Sequence, residues 1–397
     1  MDFGDTPQEA AFRRQVREFL RRELPTELCR ELIAAGPITD LRFSFDHSPA
    51  MRLWLDALRQ RRWLAANWPP EYGGAGLTSI EQFILKEEMA LARAPIPWSI
   101  GLNAIGPTII AHGTPSQKER YLPSILAMDV WCQGFSEPMV GSDLASVTTR
   151  AFRNGSDYTV QGDKIWTTGG HKGRFMLLLA RTDPEAPKHR GLSCFILDMQ
   201  APGVTIKPLI NMAETLEIAQ VFLDDVRVPQ GDLLGEENQG WRVANTTLDH
   251  ERSTIGEAIG QRQAVEDLAR LIQELRGPGS LSPALRHEMA ARYIEAMVAG
   301  LLAQRVIWLL KQGQPVTKEA SQAKLFSTEL AQRIARTGMK LLGLYGQLGP
   351  DSPWAPFAGL LVYIYLETVK DTIAGGTSET VRNVIALRGL GLPREGP

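Results

Sequence analysis

Residues 372–383, TIAGGTSETVRN, set Gly375 and Gly376 ahead of Thr377, Ser378 and Glu379 at the start of a helix-like run. A Gly-Gly-Thr-Ser turn that opens a helix aims several backbone N–H groups at one spot, backed by the positive end of the helix dipole. Such a spot suits an anion or a carbonyl oxygen. The same residues also read as a plain helix start with Thr377 or Ser378 as N-cap. The stretch NTTLDHERSTIGEAIG, 245–260, offers an acid or base. Ala244, Leu248, Ile255 and Ile259 form one apolar stripe, and Glu251 and Arg252 fall on its two shoulders. A carboxylate leaning toward a core is costly unless paired or raised in pKa, and a raised carboxylate in a cleft can serve as a general base. A structural ion pair of Asp249 or Glu251 with a nearby arginine is the alternative. Two further segments concentrate small and hydroxyl residues: WCQGFSEPMVGSDLASVTTRA (131–151), and DKIWTTGGHKGR (163–174) with an aromatic plane at Trp166. The first can cradle a polar ring edge or a diphosphate, or be a Gly/Ser turn capped by Asp143. Trp166 can be a cofactor platform or a core residue.

These segments need elements to position them. Thr6, Pro7 and Glu9 predict a capped helix start, followed by Phe12, Val16, Phe19 and Leu20 at helical spacing. Helical stretches follow over about 50–64, 79–93 and 115–128, separated by the loop-like NWPPEYGGAGLT and APIPWSIGLNAIGP. From about 130 the pattern becomes β-like in YTVQGDKIWTT, RFMLLLART, LSCFILDM, GVTIKPL and AQVFLDDVRVP. Helical periodicity returns over roughly 241–275, 283–311, 318–344, 357–371 and 378–388, with RGPGSLSP (276–283) as a linker. The order is α, then β, then α, giving domains at 1–129, 130–238 and 239–397.

At 397 residues with 44% hydrophobic content, the chain can bury more than one core. A formal net charge of −2 provides no broad basic field, which argues against nucleic acid or an anionic membrane as main partner. No apolar run reaches the roughly 18 to 20 residues of a membrane span and the N-terminus MDFGDTPQEAAF is polar, so the cytoplasm is the expected location. Cys29, Cys132 and Cys194 form no CxxC, and the six histidines form no HxxxH, so no metal site is expected. No GxGxxG follows a strand and there is no Walker sequence; a nucleotide cofactor would need another fold to hold it.

Taken in order, WPPEYGGAGLT, HGTPSQKERYLP, SEPMVGSDL, DKIWTTGG, FLDDVRVP, LGEENQGW and GGTSETVRN resemble the acyl-CoA dehydrogenase family over nearly the whole chain. The resemblance implies an α+β fold: an N-terminal helical domain, a central β-barrel or sandwich domain and a C-terminal four-helix bundle. It implies FAD as cofactor and an acyl-CoA thioester as substrate, oxidised to the 2-enoyl-CoA. Cofactor contacts fall on Gln133, Phe135, Ser136, Gly141, Ser142, Trp166, Thr167, Thr168, Thr377, Ser378 and Glu379. Among these, Ser136 matches a flavin pyrimidine contact, Trp166 a residue packed on the isoalloxazine and Thr168 a hydrogen-bond donor near N5. Substrate contacts fall on Ser142, Asp249, Arg252, Gly375 and Gly376, with Asp249 and Arg252 meeting the nucleotide end of CoA.

Many members carry the catalytic glutamate directly before Gly-Thr-Ser, where this chain has Gly375. A minority, similar to isovaleryl-CoA and long-chain dehydrogenases, place it on the helix bearing DHER, at the position of Glu251, which therefore becomes the expected base. The family's Arg-x-x-Phe-Gly segment is replaced by ELRGPGSLSP, and its Gln-x-x-Gly-Gly motif by KLLGLYG, with Lys340 and Leu344 at altered positions. These departures are similar to a bacterial subgroup handling bulky, branched or steroid-derived acyl groups, some of whose members form α2β2 complexes. Expected partners are an electron acceptor such as an electron-transfer flavoprotein and a second chain, identical or related. An oxygen-using flavoenzyme of the same fold, and a partner subunit without its own complete flavin site, are the rival readings.

Overall fold

The computed structural model describes residues 4–28, 48–252, 257–277 and 281–393. Helices α1 (Pro7–Glu23), α2 (Pro49–Gln60), α3 (Ser79–Leu91), α4 (Gly106–His112) and α5 (Pro115–Leu126) come first. Strands β1 (Trp131–Gly134), β2 (Arg150–Asn154), β3 (Asp157–Thr168), β4 (Phe175–Arg181), β5 (Leu192–Asp198), β6 (Val204–Leu209), β7 (Ile218–Val228) and β8 (Leu233–Leu234) follow. The chain ends in α6 (Gly240–Arg252), α7 (Glu257–Arg276), α8 (Pro283–Lys311), α9 (Thr317–Leu342), α10 (Leu360–Asp371) and α11 (Ser378–Val384). It divides into two compact units, one of Met1–Ile38, Leu77–Ile96 and Arg252–Pro397, the other of Thr39–Gly76 and Pro97–Glu251.

In the second unit the eight strands form one hydrogen-bonded sheet in the order β6-β7-β3-β2-β4-β5-β8, with β1 pairing parallel to β4. Tyr158 on β3 packs edge-on against Phe195 on β5, ring centroids 4.9 Å apart, although β2 and β4 lie between these strands in the sheet. The sheet therefore folds over on itself, and its two halves enclose one core containing Val160, Met176, Leu178, Leu197, Val221 and Val226. Alternation of buried and exposed residues along β3 and β7 is the pattern a sheet with one wet face requires.

APIPWSIGLNAIGP, expected as a loop, instead contains a π-helical turn at Gly101–Ile105 leading into α4. Pro107 sits in the first helical turn, where it needs no N–H partner, so it starts the helix rather than breaking it. Gly106 is required by close approach: a Cβ there would lie 1.9 Å from Cζ2 of the buried Trp68. The indole N–H of Trp68 donates to the Leu102 carbonyl at 3.1 Å.

In the first unit, the predicted capping box forms: Thr6 Oγ1 accepts from the Glu9 N–H and the Glu9 carboxylate accepts from the Thr6 N–H. α1 is tied to α3 by Arg13 and Arg17, which both donate to the buried Glu88. Helices α7 to α10 form a bundle whose core draws Val265, Leu268 and Ile272 from α7, Ala296, Ala299 and Ala303 from α8, and Leu330 and Ile334 from α9, with Leu361 of α10 against it. By length and composition α8 is apolar enough to cross a membrane, with a mean hydropathy of 1.4 in its most apolar window. Glu295 and Arg305 interrupt any continuous apolar run, so the sequence pattern did not flag it. Its small buried residues instead build the bundle core.

Candidate functional site

Gln133 lies within β1, the loop that follows carries Phe135, Ser136, Gly141 and Ser142, and a buried ion pair holds that loop. Lys164 on β3 is fully buried, and its Nζ donates to Glu137 Oε1 at 2.8 Å and to the Phe135 carbonyl at 3.1 Å. Glu137 Oε1 also accepts from the Thr149 N–H, while Oε2 accepts from the N–H and hydroxyl of Thr148. Burial pushes the Glu137 carboxyl up, but the Lys164 ammonium and these donors outweigh it and hold the pKa down at about 2. Burial lowers the pKa of Lys164, against the pull of Glu137. A carboxylate with four donors is stabilised in its charged form, so the pair is ionic. The Ser136 carbonyl accepts from the Ile165 N–H at 3.0 Å, joining loop to strand a second time.

β3 is bulged where it bears the expected flavin residues. Lys164 pairs with Val221 and Thr167 with Ala219, so three steps on β3 oppose two on β7. In a regular strand residues 164 and 166 would share a face. The bulge reverses that parity, and Trp166 turns outward, 60% exposed. Its φ of 60° lies in the left-handed region, which costs an aromatic L-residue about 1–2 kcal/mol. Thr168, two residues on, is half-buried, whereas the Thr167 hydroxyl is fully buried without a hydrogen-bond partner. Phe135 is likewise buried, Ser136 and Gln133 are half-buried, and Gly141 and Ser142 are exposed. A Cβ at Gly141 would meet nothing within 4 Å.

An outward indole in a strained conformation, beside an open glycine and serine loop, fits a planar heterocycle with a polar edge. The side chains of Phe135 and Thr167 serve the interior beneath it.

α6 is anchored at its start by close packing, since a Cβ on Gly240 would lie 2.5 Å from Ser193 backbone atoms. Its middle is pinned to α4 by Thr108 Oγ1 to Thr247 Oγ1 at 3.0 Å and His112 Nε2 to Thr246 Oγ1 at 2.8 Å. Burial and the Arg242 charge lower the His112 pKa, favouring neutral imidazole. Val243, Ala244 and Thr247 are buried along this helix. Backbone position 251 continues that face, within about 20° of Ala244 around the axis at 3.6 residues per turn. The side chains of Glu251 and Arg252, with Ile255 and the side chain of Ile259, lie outside the described residues.

A cleft of about 850 Å³ opens beside α6, lined by His189, Arg190, Trp241, Arg242, Asn245 and Asp249, among others. His189 stacks edge-on against Trp241 at 4.8 Å. Asp249 was expected as a substrate contact; the cleft adds basic and aromatic neighbours that no single stretch of sequence displays.

The C-terminal turn belongs to the other unit. Gly375 and Gly376 adopt φ of 62° and 98°, and Thr377 caps α11 by accepting from the Thr380 N–H at 3.1 Å. Lys324 of α9 donates to the carbonyls of Gly376 at 2.7 Å and Asp371 at 3.2 Å. Ser378 is buried and its hydroxyl has no hydrogen-bond partner. Glu379 is exposed, and hydrogen bonds from its own N–H and from Thr377 lower its pKa. Among the described residues no group of three or more His, Cys, Asp or Glu side chains could hold a metal.

Comparison with known proteins identifies the family and the fold. Models of the acyl-CoA dehydrogenase N-terminal, middle and C-terminal domains match residues 6–129, 132–226 and 238–390. Acyl-CoA dehydrogenase IpdE1 of Mycobacterium tuberculosis is 35% identical over 97% of this chain and 98% of its own length. A solved structure described as the Tcur3481-Tcur3483 steroid ACAD superposes with a TM-score of 0.84 at 32% identity over the whole of both chains. The ChsE4-ChsE5 complex from Mycobacterium tuberculosis gives 0.80 at 33% identity, again covering both chains fully. The chain belongs to the acyl-CoA dehydrogenase family. It is an oxidoreductase acting on acyl-CoA thioesters, with the family's helical, β-sheet and helical domain order. Members of the family are FAD-dependent flavoproteins.

Proposed function

We propose that this chain dehydrogenates bulky, steroid-derived acyl-CoA thioesters, holding FAD against Trp166 and working with a related partner chain. The observation that carries the flavin assignment is Trp166, exposed on a bulge in a left-handed conformation beside the Ser136 loop. Gln133, Ser136, Gly141, Ser142 and Thr168 would border the ring system; Thr377, Ser378 and Glu379 match the family's C-terminal cofactor loop. FAD, when bound, supplies a two-electron acceptor for the hydride equivalent lost from the β-carbon.

Glu251 is the general base in this reading. Its carboxylate takes the α-proton, the C–H electron pair becomes the new α,β double bond as the β-hydride departs, and the product is the 2-enoyl-CoA. The α-proton of a thioester is weakly acidic, so N–H groups near Gly375 and Gly376 are assigned to the thioester oxygen, where they stabilise developing enolate charge. Arg190, Arg242 and His189 in the cleft beside α6 suit the phosphates of CoA, with Trp241 as a surface for adenine and Asp249 and Arg252 as further contacts.

The acyl class rests on relatives described as steroid ACAD. A partner chain is supported by the two-protein complexes among them. It is also supported by an exposed apolar face on α8 that includes Tyr293, Ile294, Met297, Val298 and Leu301. Leu344, in the altered KLLGLYG segment, is a further exposed apolar side chain, 82% exposed.

The test is the visible spectrum of the purified chain, alone and coexpressed with a related chain, before and after addition of steroid-side-chain and straight-chain CoA thioesters. Bleaching of bound flavin by the steroid thioester, lost in Glu251→Gln by at least about 100-fold in rate, is the expected result. Parental reduction rates in Glu251→Gln would place the base elsewhere. Flavin that appears only on coexpression would assign the complete cofactor site to the complex.

A further inference from the structure

The ion pair between Glu137 and Lys164 lies under the loop and has no role in the chemistry described above. Its position relative to Trp166 gives it one. Lys164 is two residues before Trp166 on β3, and Glu137 directly follows Ser136 in the loop. Between them runs the hydrogen bond from the Ile165 N–H to the Ser136 carbonyl, at the bulge itself. Drawing Lys164 fully inward while Trp166 turns outward is what demands the extra residue, because regular alternation would send both to one side.

We propose that Glu137 and Lys164 are positioning residues that hold the β3 bulge and thereby present Trp166 and Ser136 together to the flavin ring. Four contacts define the clamp: Lys164 to Glu137, Lys164 to the Phe135 carbonyl, and Glu137 to Thr148 and Thr149. They fix the loop from below at Phe135 and Glu137, on either side of Ser136. A generic core contact would stabilise the domain without selecting where Trp166 points. This clamp instead couples the loop's register to the strand's irregularity. The proposal rests on the flavin reading of Trp166 for its functional consequence, and on the hydrogen-bond geometry alone for its structural one.

The test uses the full chain and, where needed, its complex, in two variants: K164M, and the charge-neutral double variant E137Q/K164M. K164M leaves a carboxylate buried without its ammonium. The double variant removes both charges and keeps an amide oxygen for one of the Thr148 and Thr149 donors. Hydrogen exchange is followed at the Ile165 amide against the β3 amides paired with β7, and FAD affinity is measured by titration of deflavinated protein.

The expected result is a folded double variant, more heat-stable than K164M, in which Ile165 exchanges at least about tenfold faster relative to its neighbours. FAD affinity in the same protein should fall about tenfold or more, the scale seen when an outer support is removed from a site. A double variant with parental Ile165 protection, or with loosened Ile165 but parental FAD affinity, overturns the positioning role. A parent chain that takes up no FAD, alone or in complex, refutes the flavin reading, while Ile165 exchange still judges the clamp. If K164M does not fold, the double variant carries the test by itself.

Discussion

Acid should weaken this protein through Glu137 in a measurable way. The Glu137 pKa, ordinarily 4.5, is held at about 2 in the folded chain. At about 1.4 kcal/mol per pKa unit, the difference is worth about 3 kcal/mol to folding. The sign follows from the direction: a depressed carboxyl pKa stabilises above the unfolded value, and that contribution is lost as pH falls through the folded value. The full contribution is therefore present at pH 7 and begins to fade below about pH 4.5, with about 2 kcal/mol gone by pH 3. Other carboxylates titrate in the same window, so the E137Q/K164M variant, which lacks both charges, is the reference. It should be less stable than the parent at pH 7 by about 1–3 kcal/mol, because an amide cannot serve every donor the carboxylate served. The gap should close as pH falls. Urea denaturation of both proteins at pH 7, 5 and 3, with a common slope, measures it. Parallel stability curves down to pH 3 would refute the argument that the buried pair is ionic in the folded state.

Two further expectations concern the substrate and the C-terminal turn. Replacing Arg242 by Ala removes a cation from the cleft beside α6, so KM for an acyl-CoA should rise about tenfold or more with kcat little changed; a collapsed kcat at unchanged KM would contradict a CoA phosphate contact. Gly375→Glu, the residue many family members carry there, must adopt φ near 62° and should cost about 1–2 kcal/mol, read as a lower urea midpoint; an unchanged midpoint would mean the turn relaxes without strain.

The parts of this protein that were legible in the sequence are those whose signal is local. Thr6, Pro7 and Glu9 announce the start of α1 because a capping box needs only four consecutive residues. β3, β4, β5, β6 and β7 were legible from alternating or continuous apolar runs bounded by turn residues. β1 and β2 were not, because β1 has only four residues ending in Gly134 and β2 buries only Ala151. The helix α4 was hidden by Pro107, which is a breaker within a helix but a starter at its first turn.

The site divides along the same line. The proposed flavin contacts Ser136 and Trp166 could be named from their motifs, but the pairing that holds them was not visible there. Lys164 in a strand next to Asp163 reads as a solvent-facing charge, and period-two alternation puts it on the same side as Trp166. Only the partner at Glu137, 27 residues earlier, makes burial of that lysine tolerable, and only the bulge lets Trp166 escape the interior. His189, Arg190 and Arg242 present the same difficulty, since their convergence on one cleft depends on how α6 packs against β5. A catalytic side chain can be proposed from residue type and local period, whereas the groups that orient a site are chosen by long-range pairing. Those groups are therefore where a structure adds most, and in this chain they are Glu137 and Lys164.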